Sequence, residues 1–298
     1  MTVCIAAACN SGEYVVSCTD GALSQGGESF DLALTKMAYF GDWQFMYAGE
    51  PSNADLIMEN IRQELLSRDV LKRESIQATV RRAYKKRFAE WTADYVLAPF
   101  NMEMDEFKRK GRQVFTDQVA AQLAREMSNV ASEFKEELMV VGWGRTPHAV
   151  MIYGMNQSGP WSGLLSGIGA IGAGADVARA TLLLHGITRS STMENTLYAV
   201  AAAKFSAERC DGVGRNTTIH VSRKRKKEDD KSFHVGEFLT AQEVRGLRRL
   251  WLRYGRVRVP DEAYPRVMAI TQRVSGGVSV ESIPRLTRLV SRRSRQGQ

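Results

Sequence analysis

The chain has 298 residues, of which 44% are hydrophobic and 25% are charged, so it can bury a substantial core and does not belong to the disordered class. No stretch approaches the roughly 20 apolar residues that cross a bilayer, and the apolar N-terminal run lacks the basic start of a secretory signal. We therefore expect a cytoplasmic protein without a membrane partner.

The net charge of +8 is unevenly distributed along the chain. Residues 223–298 contain 19 basic and 8 acidic residues, which leaves 22 basic and 25 acidic residues in residues 1–222. This shift predicts a boundary near residue 222, between a globular domain and a basic C-terminal extension. The extension has few aromatic residues and matches no nucleic-acid-binding module. We expect it to be solvated or to contact another subunit rather than to bind nucleic acid.

The cysteines and histidines show neither a disulfide pattern nor the spacing of a zinc site. No CxxC pair and no pair of histidines four residues apart occurs, which indicates a reducing compartment and predicts no metal and no cofactor. The residues concerned are Cys4, Cys9, Cys18, Cys210, His148, His185, His220 and His234.

Short apolar runs that flank turn-forming residues predict two hairpins at the start of the chain. The first joins residues 3–8 to residues 14–18, and the second joins residues 34–40 to residues 43–48. A helix then begins near Pro51, because proline suits a first helical turn and apolar residues follow at helical spacing.

Helices alternate with further strands in the rest of the chain. We predict a long helical region over 73–136 that is broken at 97–101, a third hairpin over 138–143 and 149–153, helices over 175–185 and 193–208, a last strand over 217–221, a charged linker over 223–231 and a helix over 241–254.

The glycine-rich stretch at 167–172 matches the GxGxxG pattern of dinucleotide-binding sites. No clear strand leads into it and no βαβ unit surrounds it, so we interpret it as a turn that packs near the active site.

Hairpins that are grouped between pairs of helices predict an α+β fold. Two antiparallel sheets would stack face to face and helices would cover both outer sides, which gives a four-layer αββα sandwich. The long helical region then forms an extended insertion, and residues 223–298 form a C-terminal extension.

Thr2 directly follows Met1, at the start of the first strand. Once Met1 is removed, the Thr2 hydroxyl and its own α-amino group supply a nucleophile and a base in one residue. The unperturbed pKa of an α-amino group is about 8, close enough to neutral for it to accept the hydroxyl proton through a water. We expect Met1 to be removed, because threonine is small enough for methionine aminopeptidase.

An ordered set of residues resembles the proteasome β-subunit family of N-terminal-nucleophile hydrolases, including its simpler bacterial relatives. In that family a threonine, a glycine turn, an aspartate, a lysine and an Ala-Gly pair follow one another before the first long helix. Here these positions are Thr2, Gly12, Asp20, Lys36 and Ala48-Gly49. The resemblance covers residues 2–222 and implies the N-terminal-nucleophile hydrolase fold.

The resemblance also implies roles for these residues. Lys36 would lower the pKa of the Thr2 amine, since a nearby cation disfavours its protonation, and Asp20 would hold Lys36 in place. The Gly49 N–H would stabilise an oxyanion. Substrate would pair with backbone near Leu23 and Gly49, and Tyr47 would line the primary specificity pocket. Ala173 would also belong to the substrate-binding residues.

Two segments depart from the family pattern. The turn beside the nucleophile reads Gly172-Ala173-Gly174, where the family carries a serine between the glycines. The acidic residue that the family places before the last strand corresponds to either Glu208 or Asp211, and both alternatives stay open.

The function that the resemblance implies is that of a threonine-type endopeptidase acting on peptides or unfolded proteins. It implies a homo-oligomeric ring and leaves room for an ATPase or regulatory partner. Two alternatives remain: a catalytically silent structural subunit, and an N-terminal-nucleophile amidase that acts on a small amide.

Overall fold

The computed structural model describes residues 2–25, 28–31, 36–66, 73–143, 150–224, 236–255, 259 and 261–274. Within these residues, two five-stranded antiparallel sheets are stacked face to face, and helices cover their outer faces. The four-layer αββα sandwich that the sequence predicts is therefore confirmed.

The described strands and helices are numbered in chain order. The strands are β1 (Cys4–Cys9), β2 (Tyr14–Asp20), β3 (Ala22–Gln25), β4 (Glu28–Asp31), β5 (Met37–Phe40), β6 (Trp43–Ala48), β7 (Glu137–Trp143), β8 (Val150–Asn156), β9 (Gly159–Ser162), β10 (Ile168–Ile171), β11 (Thr217–Arg223) and β12 (Gly236–Phe238). The helices are α1 (Pro51–Leu66), α2 (Arg73–Val96), α3 (Met104–Val114), α4 (Asp117–Ala131), α5 (Ala175–Leu184), α6 (Met193–Ala207), α7 (Ala241–Tyr254) and α8 (Tyr264–Val274).

The first sheet has the strand order β10-β1-β2-β11-β12. β1 is apolar throughout because both of its faces are buried. Ile5 and Ala7 pack toward the helices, whereas Cys4 and Ala6 pack against the second sheet. This strand therefore fixes the backbone that leads out of Thr2.

The second sheet has the order β5-β6-β7-β8-β9. Its inner face contributes Met46 and Met139 to the core between the sheets, and its outer face packs Phe45 and Val140 against α1 and α2. The second and third predicted hairpins are confirmed as β5–β6 and β7–β8, although residues 34–35 and 144–149 lie outside the described residues.

The long helical region contains a second break that the sequence prediction missed. Besides the predicted interruption after α2, the chain breaks between α3 and α4. Thr116 accepts a hydrogen bond from the Val119 N–H and caps the new helix, and Asp117 follows in its first turn. Such a cap is typical of a helix start. α4 then packs back along α2.

The described part of residues 236–274 packs onto the first sheet and its helices. β12 pairs with β11, and both α7 and α8 contact α6. α7 begins with a capping box formed by Thr240 and Glu243 and ends at Gly255 in the left-handed conformation. The sequence predicted α7 but neither β12 nor α8, and the domain boundary near residue 222 stays a prediction. None of the described helices has the length and apolar character that crossing a membrane requires.

Candidate active site

Thr2, Asp20 and Lys36 form one almost completely buried cluster. The Thr2 hydroxyl donates a hydrogen bond to Asp20 Oδ1 and accepts one from Lys36 Nζ. Lys36 Nζ lies 3.1 Å from Asp20 Oδ1, so the two charged groups form a buried ion pair. The attraction between the two groups offsets part of the free-energy cost of removing each charge from water. The structure therefore brings together the predicted nucleophile, its lysine and its aspartate.

The pairing of β1 with β2 places Asp20 beside Thr2. In this antiparallel pair the start of β1 lies opposite the end of β2. The Asp20 N–H donates to the Val3 carbonyl at 3.2 Å, and the Val3 N–H donates to Asp20 Oδ1 at 3.4 Å. Lys36 directly precedes β5, so its ammonium group reaches the cluster from the second sheet. Both sheets are needed to assemble the site.

The second carboxylate oxygen of Asp20 is fixed by the loop between α6 and β11. The Gly214 N–H donates to Asp20 Oδ2 at 2.8 Å. Gly214 lies in the connection between α6 and β11 and is buried. Asp20 is thus held from one side by Thr2 and Lys36, and from the other side by a backbone amide.

The turn over residues 172–174 packs directly against the backbone of Thr2. The Gly174 N–H donates to the Thr2 carbonyl at 3.3 Å. Gly172 has a φ of +89°, and a Cβ atom at this position would lie 2.3 Å from the same carbonyl oxygen. Ala173, the departure from the family pattern, lies at the exposed tip of this turn. Residues 168–171 of the GxGxxG segment, which we interpreted from the sequence as a turn, instead form the strand β10, which pairs with β1.

Glu136 closes the N-terminal end of α1, directly behind Gly49. Its Oε1 accepts hydrogen bonds from the Glu50 N–H and the Asn53 side chain, both at 3.1 Å. Gly49 has a φ of +132°, and a Cβ there would lie 1.9 Å from Glu136 Oε2, so only glycine fits. Burial raises the pKa of Glu136 to about 7, against the opposing effects of its two hydrogen bonds and of Arg87.

Glu137 lies next to Glu136 and approaches the site from the start of β7. Its carboxylate accepts a hydrogen bond from the Gly172 N–H. Burial raises the pKa of Glu137, the Gly172 hydrogen bond and Arg179 lower it, and Asp176 raises it. Sequence reasoning missed both glutamates, because they stand in a charged run that is typical of a solvated helix end.

Leu23 and Tyr47 were predicted to contact substrate. The Leu23 backbone lies in β3, opposite Phe30 of β4. Tyr47 is half-buried and packs against the cluster between the second sheet and its helices. The Tyr47 carbonyl accepts a hydrogen bond from Cys4 Sγ at 3.2 Å, which ties the strand leading to Gly49 to β1. Their roles toward substrate stay predictions.

Glu208 and Asp211 were the two alternatives for the acidic partner. Asp211 is exposed in the turn after α6. Glu208 forms ion pairs with Lys204 and Arg248. The role of Glu208 or Asp211 as the acidic partner stays a prediction.

All four cysteines are free thiols. Burial raises the pKa of Cys18 to about 12 and also raises that of Cys4, which lies beside the cluster. Among the described residues, no group of three or more His, Cys, Asp or Glu side chains is arranged to hold a metal ion.

No family model and no curated protein matches this sequence. Solved structures do match: Anbu (ancestral beta-subunit) from Yersinia bercovieri aligns with a TM-score of 0.54 and 11% identity, over 85% of this chain and 94% of that chain. The helical assembly of the Anbu complex from Pseudomonas aeruginosa aligns with a TM-score of 0.56 and 15% identity, over 85% and 93%. An Anbu (Gly-1) mutant from Hyphomicrobium sp. strain MC1 aligns with a TM-score of 0.54 and 10% identity, over 85% of this chain and 94% of that chain.

Identities this low establish the fold and nothing more. The chain has the proteasome-like fold of these ancestral β-subunit structures, so the fold that the resemblance implied is confirmed.

Proposed function

We propose that this protein is a threonine-type peptidase whose nucleophile is the Thr2 hydroxyl, exposed by removal of Met1. The observation that carries the proposal is the buried contact of the Thr2 hydroxyl with both Asp20 and Lys36. A hydroxyl placed between a paired carboxylate and ammonium group is unusual for structural purposes alone, because keeping such charges buried is costly.

The proposed reaction uses these groups in order. The α-amino group of Thr2 accepts the hydroxyl proton through a water while Oγ1 attacks the substrate carbonyl. Lys36 keeps the amine unprotonated and stabilises the charge that develops on Oγ1. The Gly49 N–H, at the N-terminal end of α1, donates to the oxyanion. The C–N bond breaks, the amine product takes the proton, and water hydrolyses the acyl ester.

The proposed substrates are peptides or unfolded proteins in the cytoplasm. Extended chains would pair with backbone near Leu23 and Gly49, and the half-buried Tyr47 would contact the side chain before the cleaved bond. We further propose a homo-oligomer, since the Pseudomonas aeruginosa structure with the same fold is described as a helical assembly. An ATPase or regulatory partner fits this proposal without being required by it.

A catalytically silent structural subunit is the second candidate. It is favoured by one observation: the turn against the Thr2 backbone carries Ala173 and so offers no hydroxyl beside the nucleophile. A small-amide hydrolase remains the third alternative.

Covalent labelling separates these functions. Purified protein is first weighed intact to establish that Thr2 is its first residue, and is then treated with an electrophilic peptide probe. We expect one adduct on Thr2, none in Thr2→Ala, and labelling at least about 100-fold slower in Lys36→Met, because the cation beside the hydroxyl is lost. Lys86→Met is the matched control, since Lys86 is a solvent-exposed lysine on α2.

The other outcomes either contradict the proposal or favour one of the two alternative functions. Retention of Met1 in the native host removes the base and overturns the proposal. A chain that begins at Thr2 but stays unlabelled supports the silent subunit, unless it hydrolyses small amides, which would identify the amidase. If Lys36→Met and Lys86→Met slow the labelling of Thr2 equally, Lys36 has no special role in the reaction.

A further inference from the structure

The orientation of Asp20 depends on a backbone amide that is itself held in place. Asp20 Oδ1 faces Thr2 and Lys36, and Asp20 Oδ2 accepts its hydrogen bond from the Gly214 N–H at 2.8 Å. This hydrogen bond fixes Oδ2 and thereby helps to keep Oδ1 turned toward the nucleophile. Whatever fixes Gly214 therefore influences the site.

Lys204 fixes the carbonyl group of the same residue, Gly214. Its Nζ donates to the Gly214 carbonyl at 2.8 Å and to Glu208 Oε1 at 2.6 Å. Glu208 is the residue that directly follows α6. Lys204 has no solvent exposure. A buried ammonium group must be paired to be tolerated, so its position depends on that of Glu208.

Arg248 of α7 holds Glu208 from the opposite side. Its guanidinium donates to both carboxylate oxygens, at 2.5 and 2.6 Å, which is the bidentate geometry of a strong, directional pair. It also lies over the Phe205 ring, 4.3 Å from the centroid, and donates to the Arg215 carbonyl at 2.9 Å. Arg248 thus contacts Glu208 and the residue that directly follows Gly214.

We infer that Arg248 is a positioning residue, which holds the Gly214 amide on Asp20 through Glu208 and Lys204. The inference rests on the proposed function for its effect on catalysis. It gives α7, which lies in the basic C-terminal extension, a role in holding the Asp20 side chain in position. Without Arg248, Glu208 loses its bidentate partner and its ion pair with Lys204 is free to shift. Gly214 and then Asp20 lose their fixed positions.

Arg248→Ala, Arg248→Lys and Arg249→Ala in the full-length chain test this inference. Arg249 is an exposed arginine on the same helix, so its replacement changes the charge equally without touching Glu208. The first measurement is hydrogen–deuterium exchange of a peptide containing Gly214, with a β7 peptide as internal reference. The second is the rate of Thr2 labelling as a function of probe concentration.

We expect the Gly214 amide to exchange about tenfold faster in Arg248→Ala, since a supporting charge-assisted bond is lost. The maximal rate of Thr2 labelling should fall about tenfold, because the nucleophile and its partners are less well aligned. The probe concentration that gives half of this rate should stay unchanged, because binding of the probe is not affected. Arg248→Lys should give intermediate values, since lysine keeps the charge but not the bidentate geometry. Arg249→Ala should match the unmodified protein.

Unchanged Gly214 exchange in Arg248→Ala, or equal changes in Arg249→Ala, would overturn the inference. So would faster exchange together with an unaffected labelling rate. If Arg248→Ala fails to fold, Arg248→Lys and Glu208→Gln provide the same comparison. If the unmodified protein is never labelled, the proposed function fails, and the exchange measurement still decides whether Arg248 holds Gly214.

Discussion

One carboxyl oxygen of Glu136 is buried against Gly49 and has no hydrogen-bond partner within the described part of the chain. The pKa of this group is raised to about 7, chiefly because burial disfavours the charged form. Arg87 opposes this effect and the charge of Glu50 reinforces it. Near neutral pH, Glu136 is therefore poised between its two protonation states, directly behind the proposed oxyanion donor.

Glu136→Gln should remove a pH dependence of stability. The folded-state pKa of about 7 exceeds the ordinary value of 4.5, so the folded protein binds the proton more tightly than the unfolded chain. This contribution favours folding at low pH and is lost as the pH rises toward 7. The free energy of unfolding of Glu136→Gln, relative to the unmodified protein, should therefore be higher at about pH 8 than at about pH 5, by roughly 2 kcal/mol.

Chemical denaturation at the two pH values measures this difference. Glu133→Gln is the matched control, because Glu133 is an exposed glutamate three residues earlier. Its stability difference from the unmodified protein should stay the same at both pH values. An equally constant difference for Glu136→Gln would show that the buried carboxyl does not titrate with a raised pKa.

At the level of elements, sequence patterns predicted those parts of the fold that depend on neighbouring residues. β1 and β2 flank a short turn, and α7 carries its own capping box, so both were located closely from the sequence. β12 was missed because its three residues are too few to show a pattern. α8 was missed although Val267, Ile270 and Val274 recur at helical spacing, a signal that could have found it. Their positions depend on β11 and α6, which provide the surfaces they cover.

The residues of the candidate site likewise fall into those that the sequence identified and those that it did not. Thr2, Asp20 and Lys36 were found because their order along the chain resembles a known family. Gly214 and Glu136 were not found, since Gly214 meets Asp20 across 194 residues and Glu136 meets Glu50 across 86. Contacts at such separations leave no local pattern. The pairing of β2 with β11 in the first sheet and of β6 with β7 in the second brings these residues together.

The turn between β10 and α5 should tolerate no side chain at Gly172. Alanine there would combine the strain of a φ of +89° with a Cβ only 2.3 Å from the Thr2 carbonyl. The Thr2 backbone must then move, and we expect the labelling of Thr2 to slow by at least about 100-fold, because small displacements of a nucleophile have effects of this size.

Gly186→Ala provides the control for backbone strain alone. Gly186 also has a positive φ, +65°, but a Cβ there would meet no atom within 4 Å. It should destabilise the protein by about 1 kcal/mol and leave the labelling rate unchanged. Equal labelling by both variants would show that the turn does not set the position of Thr2.

At the scale of the whole molecule, α6 is the helix that joins the sandwich to the C-terminal segment. Most of its side chains are buried, because the first sheet covers one side while α7 and α8 cover another. The apolar cluster that contains Ile5 and Leu197 also includes buried residues of α7 and α8, namely Val244, Leu247, Val267 and Ile270. The charge boundary near residue 222 therefore does not coincide with a gap in the described core.

Leu247→Ala tests whether this shared core unfolds as one unit. Leu247 is 1% exposed and Leu252, on the same helix, is 69% exposed. Truncating the buried leucine should lower the free energy of unfolding by about 3 kcal/mol, whereas Leu252→Ala should change it by less than about 0.5 kcal/mol. Thermal unfolding of Leu247→Ala should remain a single transition at a lower temperature, since the C-terminal helices and the sandwich lose the same contacts together. A separate early transition, with hydrogen exchange increasing only in α7 and α8, would instead show that residues 236–274 unfold independently of the first 222.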